Sequence, residues 1–148
     1  MVLVQHILED ARKRLAVLDR GALISEAAAI LASPATPLVV VCDSDGVAVG
    51  VVSKSNIIRA FAVAKDAAVK MSTGDLMTHP VLSCHVSQTL QTVWDTMNTR
   101  TVRSIPVLDD SGRPEGVVHA RDLVRALFSE VDEEEVLLRD YVLGIGYQ

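Results

Sequence analysis

The sequence predicts an α/β (α+β) protein made of two pseudo-symmetric repeats, each a small mixed sheet with helices, packed sheet to sheet into one module. Three observations carry that prediction. First, the 148-residue chain aligns with itself at an offset of 66, residues 15–61 matching 81–127 without a gap. The identities include turn-forming pairs, Asp43 with Asp109, Gly46 with Gly112 and Gly50 with Gly116, alongside Val41 with Val107, Val51 with Val117, Val52 with Val118, Arg59 with Arg125 and Ala60 with Ala126. Second, helical and strand periodicities follow one another in the same order in both copies. Third, neither copy is large enough to bury its own sheet and helices, whereas two sharing a core are. The boundaries drawn are 1–66 for the first repeat with an N-terminal helix, 67–128 for the second, and 129–148 for an acidic, helical C-terminal tail.

Helical turns near Leu3–Arg12 and Thr73–Thr78 precede opening strands at Leu15–Leu18 and Val81–Cys84. Amphipathic helices follow, with Ile24, Ala27, Ala28 and Leu31 on one apolar stripe and Leu90, Val93, Trp94 and Met97 on the other. Ser87 is the expected N-cap of the second and Pro34 closes the first. The β-rich runs Leu38–Cys42 and Ser104–Leu108 end in acidic turns, Asp43-Ser44-Asp45-Gly46 and Asp109-Asp110-Ser111-Gly112. Return strands ending in Gly50-Val51-Val52 and Gly116-Val117-Val118 lead directly into helices whose apolar positions are Ile57, Ile58 and Phe61, or Leu123, Val124 and Leu127. Residues 62–72, rich in Ala, Val and Lys without Pro or Gly, read as a helical extension joining the repeats rigidly. In the tail, Glu130–Glu135 start a helix with Val136, Leu137, Tyr141 and Val142 as its apolar face. That face docks on its own module or a sister subunit, or captures a partner protein. Ending at Gly144-Ile145-Gly146-Tyr147-Gln148, the sequence is read as leaving no room for an attached effector domain.

The net charge of −5 sits in that tail, because residues 1–127 carry 13 basic and 13 acidic side chains. A neutral body offers no broad basic face, and an acidic tail repels phosphates, so no nucleic-acid partner is expected. Cys42 and Cys84 lie far apart in apolar surroundings and read as buried free thiols in a reducing compartment. The N-terminus is too short for a signal peptide, and no uninterrupted apolar run exceeds Ala27–Ala32, which points to a soluble, cytoplasmic protein away from membranes. His79, Cys84 and His85 lack metal-ligand spacing and no metal site is expected. No serine lies in a Gly-x-Ser-x-Gly elbow and no nucleophile stands beside a His and a carboxylate, so the protein is read as no enzyme, without catalytic residues.

Binding chemistry concentrates at the strand-to-helix junctions, Gly50-Val51-Val52-Ser53-Lys54-Ser55-Asn56 and Gly116-Val117-Val118-His119-Ala120-Arg121-Asp122. The glycine is read as allowing a ligand close to the backbone, and the helix N-terminus supplies free amides for an anion. A carboxylate or amide three residues past Ser53 or His119 lies one turn on, where it accepts hydrogen bonds from a ribose diol.

With these junctions, the strand Arg103-Ser104-Ile105-Pro106-Val107-Leu108-Asp109, and the opening Asp75-Leu76-Met77-Thr78 with Pro80-Val81, the repeat resembles a tandem pair of CBS domains, named from cystathionine β-synthase and together called a Bateman module. The resemblance covers nearly the whole chain. It implies a regulatory or sensor protein, with AMP, ADP, ATP or S-adenosylmethionine as a regulatory ligand between the repeats and no cofactor. It further implies a disc-like homodimer and a separate regulated protein. Carried over by position, Asp122 and Asn56 take the ribose hydroxyls, and His119 and Ser53 lie near ribose and phosphate. Adenine is gripped around Ser83, Ile105 and Pro106 in one site, and around Val17, Val39 and Val40 in the other.

Departures from the pattern rank the sites. Asn56 lacks the charge of an aspartate, and ionised acceptors make hydrogen bonds roughly twice as strong. Val40 stands opposite Pro106, the first copy has no counterpart of Arg103, and His119 replaces a hydroxyl. The Asp122 site, with Arg103, His119 and Arg121 as phosphate contacts, is therefore the better one and the Asn56 site the weaker. Without a ligand, Asp122 and Asn56 are ordinary first-turn helix residues, and Arg103 and Arg121 form surface salt bridges. The alternative function is accordingly a ligand-free structural or dimerisation module.

Overall fold

The Asp-x-x-Gly turns close two antiparallel hairpins in the computed structural model, which describes residues 1–143, and side-chain surroundings outside 131–136 and 140–143. In the first, β2 (Val39–Cys42) pairs with β3 (Ala48–Val52), and β1 (Val17–Asp19) adds in parallel to β2. In the second, β4 (Ser104–Leu108) pairs with β5 (Pro114–His119). Asp43 Oδ1 accepts from the amides of Asp45 and Val47 at 2.9 and 3.0 Å, and Asp109 Oδ1 from those of Ser111 and Arg113 at 2.8 and 2.9 Å. Gly46 and Gly112 complete each turn with φ of 81° and 83°, a conformation costly for any residue with a Cβ. Both hairpins carry a register irregularity at the same repeat position, after Val41 and after Val107.

Helices α2 (Ile24–Leu31) and α5 (Leu90–Arg100) bury the predicted stripes, Ile24, Ala27 and Leu31 in one and Leu90, Val93 and Met97 in the other. Helix α3 (Lys54–Ala64) follows β3, and α6 (Ala120–Leu143) follows β5. The two hairpins meet through Leu38, Val40 and Cys42 against Val117, the mixed α/β, sheet-against-sheet contact that repeat length demands. Ala48 also donates to the Gly112 carbonyl at 2.9 Å, tying one hairpin to the other.

The segments leading into the repeats cross over. Val4 and Ala11, the latter on α1 (Leu8–Lys13), are buried among Leu90, Val93, Met97 and Leu123 of the second repeat. Conversely α4 (Thr73–Leu76) and Met77 pack on Val39, Val41 and Val52 of the first, and Thr78 exchanges two backbone hydrogen bonds with Val51 at 2.8 and 3.0 Å. Each half of the core thus depends on chain from the other.

Four local expectations are corrected. Val81–Cys84 is no strand: with Pro80 lacking a donor and Ser83 turned to solvent, Cys84 alone bridges β4, to Val107. The α5 helix begins at Leu90, so Thr89 caps it, accepting from the Thr92 amide at 3.1 Å, while Ser87 bonds the His85 ring. The 62–72 connection is not one helix. Lys65 takes φ 52°, and a 3₁₀ segment over Lys65–Lys70 places Ala68 against Ile24 and Ala60. Glu130–Glu135 start no new helix, because nothing between Ala120 and Leu143 interrupts α6. Leu137 is exposed, while the surroundings of Val136, Tyr141 and Val142, and all of Gly144–Gln148, lie outside the described residues. No described helix is long and apolar enough to cross a membrane.

Candidate ligand site between the repeats

Helices α3 and α6 leave their strands at the two sheet edges, so each places its first turn at the seam between repeats. At the first junction Asn56 is buried and fully engaged. Its Oδ1 accepts from the Ser53 amide and hydroxyl at 2.8 and 2.9 Å, and its Nδ2 donates to the Leu76 carbonyl and Thr78 Oγ1 at 3.1 and 3.0 Å. At the second, Asp122 is 7% exposed. Arg14, the residue after α1, grips both its oxygens, Nη1 on Oδ2 and Nη2 on Oδ1, the second at 2.7 Å. The His119 amide also donates to Oδ2, at 3.3 Å.

A cavity of about 350 Å³ opens over this pair, lined by Lys13, Arg14, His119 and Arg121, with Asp10 on the rim and Pro34, Ala35 and Pro37 as the apolar wall. Asp122 is not among its lining residues; the guanidinium bonded to it is. A second cavity, of about 420 Å³, is lined by Ser53, Asn56, Thr78, Arg103 and Ser104 with the apolar Leu38, Val51 and Val102. His119 and Pro37 border both. The His119 pKa lies below its ordinary value, chiefly through burial and then through the Arg121 charge, with Arg14 and Arg103 adding to and Asp122 opposing that shift. Its Nδ1 accepts from the Arg121 amide at 3.0 Å, a bond that needs that nitrogen unprotonated.

Geometry regroups the expected residues. Arg103 lines the Asn56 cavity and also, together with His119 and Arg121 as expected, a further cavity of about 400 Å³, while Asp122 faces Arg14 from the opposite repeat's lead-in. Arg121 and His119 do join the Asp122 side, and Ser53 joins Asn56. Val39, Val40, Ile105 and Pro106 are buried in the strands, and the backbone of two of them is committed to pairing, Val40 N–H to Ala16 and the Pro106 carbonyl to Cys84, both at 2.9 Å. Val17 is 44% exposed on its edge strand, and Ser83 is exposed; neither lines these two cavities.

The glycines also serve differently than expected. A Cβ on Gly116 would stand 2.8 Å from the Ala11 carbonyl carbon, and one on Gly50 would collide with Met77 Sδ. Ala11 and Met77 are themselves 66 apart, so both glycines admit the crossing lead-in, where sequence reasoning had placed a ligand. Arg14, Pro37, Thr78 and Val102 were missed as site residues. The signal for Pro37 lay in the repeat, since it aligns with Arg103; Arg14 carried none, because its partner is 108 positions away.

The family model for the CBS domain matches twice, at residues 4–63 and 74–129. No curated protein matches the chain. Among solved structures, the CBS-domain containing protein ATU1752 from Agrobacterium tumefaciens is 28% identical, with a TM-score of 0.73, covering 84% of this chain and 98% of its own. The CBS domain pair of protein MJ0100, solved with 5′-methylthioadenosine and S-adenosyl-L-methionine, is 25% identical at a TM-score of 0.75, covering 88% and 98%. A protein with CBS domains from Burkholderia ambifaria, 22% identical at a TM-score of 0.74 over 86% and 95%, shares the fold. With two family matches laid over the two halves of a shared core, this chain belongs to the CBS domain family, as a tandem pair forming a Bateman module.

Proposed function

We propose that this protein is a regulatory CBS pair that binds an adenosine-containing ligand between its repeats and passes that state to a separate protein. The observation that carries the reading is the pair of cavities at matching repeat positions, one beside Asp122 under Lys13, Arg14 and Arg121, the other beside Asn56 and Arg103. Cationic groups at a helix N-terminus suit phosphate, and an apolar wall beside them suits a base. The likeness to MJ0100, solved with two adenosine compounds, supports that ligand class. Within the same proposal the protein is cytoplasmic, acts without catalysis, and forms a homodimer, for which exposed Ile58, Phe61 and Phe128 on α3 and α6 offer apolar surface. Calorimetric titration of AMP, ADP, ATP and S-adenosylmethionine tests it. At least one binds, and at a hundredfold its Kd it stabilises the fold by about 2.7 kcal/mol in thermal melts. Absence of binding by all four refutes it.

One observation favours the second reading, a ligand-free interaction module: Asn56 and Asp122 both have intramolecular partners. That reading expects no thermal shift with any adenosine compound, together with a stable dimer by sedimentation.

A further inference from the structure

We propose that Arg14 makes the Asp122 cavity select adenosine ligands that carry phosphate over uncharged or cationic ones. The inference rests on the adenosine reading above and narrows it. Arg14 bonds both Asp122 oxygens and lines the cavity where Asp122 does not, so a ribose diol that takes the same face of the carboxylate displaces the guanidinium. Guanidinium does not lose its proton. Once displaced it faces Lys13 and Arg121 across the same cavity, with His119 held neutral by its acceptor bond and Lys13 only loosely paired, at 3.7 Å, to Asp10. An uncharged ligand leaves that cation only the Asp10 carboxylate, which Lys13 already faces, and a cationic one adds to the repulsion. A phosphate instead offers oxygens that the same planar fork engages bidentately, so the ion pair is exchanged and not lost. The Asn56 cavity has no such requirement: Asn56 is neutral, and Pro80 occupies the repeat position of Arg14.

Calorimetry with AMP and 5′-methylthioadenosine, which share adenosine and differ in charge, tests this on the full chain and on Arg14→Gln. The wild type prefers AMP by at least about tenfold, as expected of hydrogen bonds to charged groups. In Arg14→Gln the preference collapses toward unity, with AMP weaker and methylthioadenosine tighter. If Arg14→Gln does not fold, the paired variant Arg14→Gln/Asp122→Asn, neutral at both positions, gives the same collapse. Binding retained with an unchanged ratio overturns the role of Arg14 alone. Failure of both compounds to bind the wild type overturns the adenosine reading and this inference together.

Discussion

Replacing Gly116 by alanine tests whether that glycine serves the fold or a ligand. Its new Cβ would lie 2.8 Å from the Ala11 carbonyl carbon, 2.9 Å from the Ala11 Cβ and 3.0 Å from its oxygen. None of these atoms moves by a side-chain rotation. Ala11 is fully buried on α1, so either that helix lifts or β5 retreats from its pairing with β4. Overpacking by one methyl costs about 1–3 kcal/mol. Against that stands a gain of about 0.4–1 kcal/mol from the stiffer unfolded chain. The net expectation is a loss of about 1–2 kcal/mol, read as a lower urea midpoint at unchanged slope in protein without ligand. Gly50→Ala is the comparison. There the Cβ meets Met77 Sδ and Cγ, and a methionine can swing aside, leaving the Thr78 carbonyl oxygen at 3.0 Å as the stiffer obstacle, so its loss is the smaller. A Gly116→Ala protein as stable as wild type but weakened in ligand binding would refute the lead-in account and restore the glycine to the ligand.

Three further outcomes follow from the same geometry. A double-mutant cycle on Arg14→Met and Asp122→Asn gives each single variant a loss of about 2–4 kcal/mol, below the full cost of breaking a buried pair because Arg14 is a quarter exposed, with a coupling of about 1–3 kcal/mol in urea melts; additive losses contradict the bidentate fork. Because the folded His119 pKa lies below its ordinary 6.5, the unfolded chain binds more protons in between, so stability is full above about pH 6.5 and falls as pH drops toward the folded value. His119→Asn removes that part of the pH dependence between pH 7.5 and 5.5, and an unchanged profile argues against it. Burial pushes the Cys84 thiol up to about 12, so iodoacetamide at pH 8 leaves it unmodified in the native protein and labels it after unfolding, by mass spectrometry; rapid native labelling contradicts the buried placement.

The elements were readable in the sequence where they rest on local chemistry. Ser104–Leu108 matches β4 residue for residue, and the Asp-x-x-Gly turns and apolar stripes sit where their spacing put them. What escaped were features set by contacts between distant segments. The helical pattern over 62–72 breaks at Lys65, where the turn that follows brings Ala68 onto Ile24 and Ala60. Strand periodicity at Val81–Cys84 was real, but only Cys84 has a strand to pair with. For the site, the junction residues Ser53, Asn56, His119 and Asp122 were legible from the repeat itself. The lead-in partners Arg14 and Thr78 were not, because each junction faces the other repeat's lead-in, and a register within one copy carries no information about that crossing.

That crossing also changes the meaning of Asn56. By pattern alone it is a weakened Asp122, an acceptor that has lost its charge. In the structure its amide donates to the Leu76 carbonyl and Thr78 Oγ1, two partners supplied by the second lead-in. A carboxylate has no hydrogen to give the Leu76 carbonyl and would face that oxygen with its own charge. Asp122, at the matching position, meets a guanidinium from the first lead-in, which an amide could satisfy only in part. Asn opposite a carbonyl and Asp opposite an arginine are therefore two matched pairs. The difference between the two sites is set by what the opposite repeat presents, and exchanging the junction residue without its lead-in partner leaves a buried polar group unsatisfied in either copy.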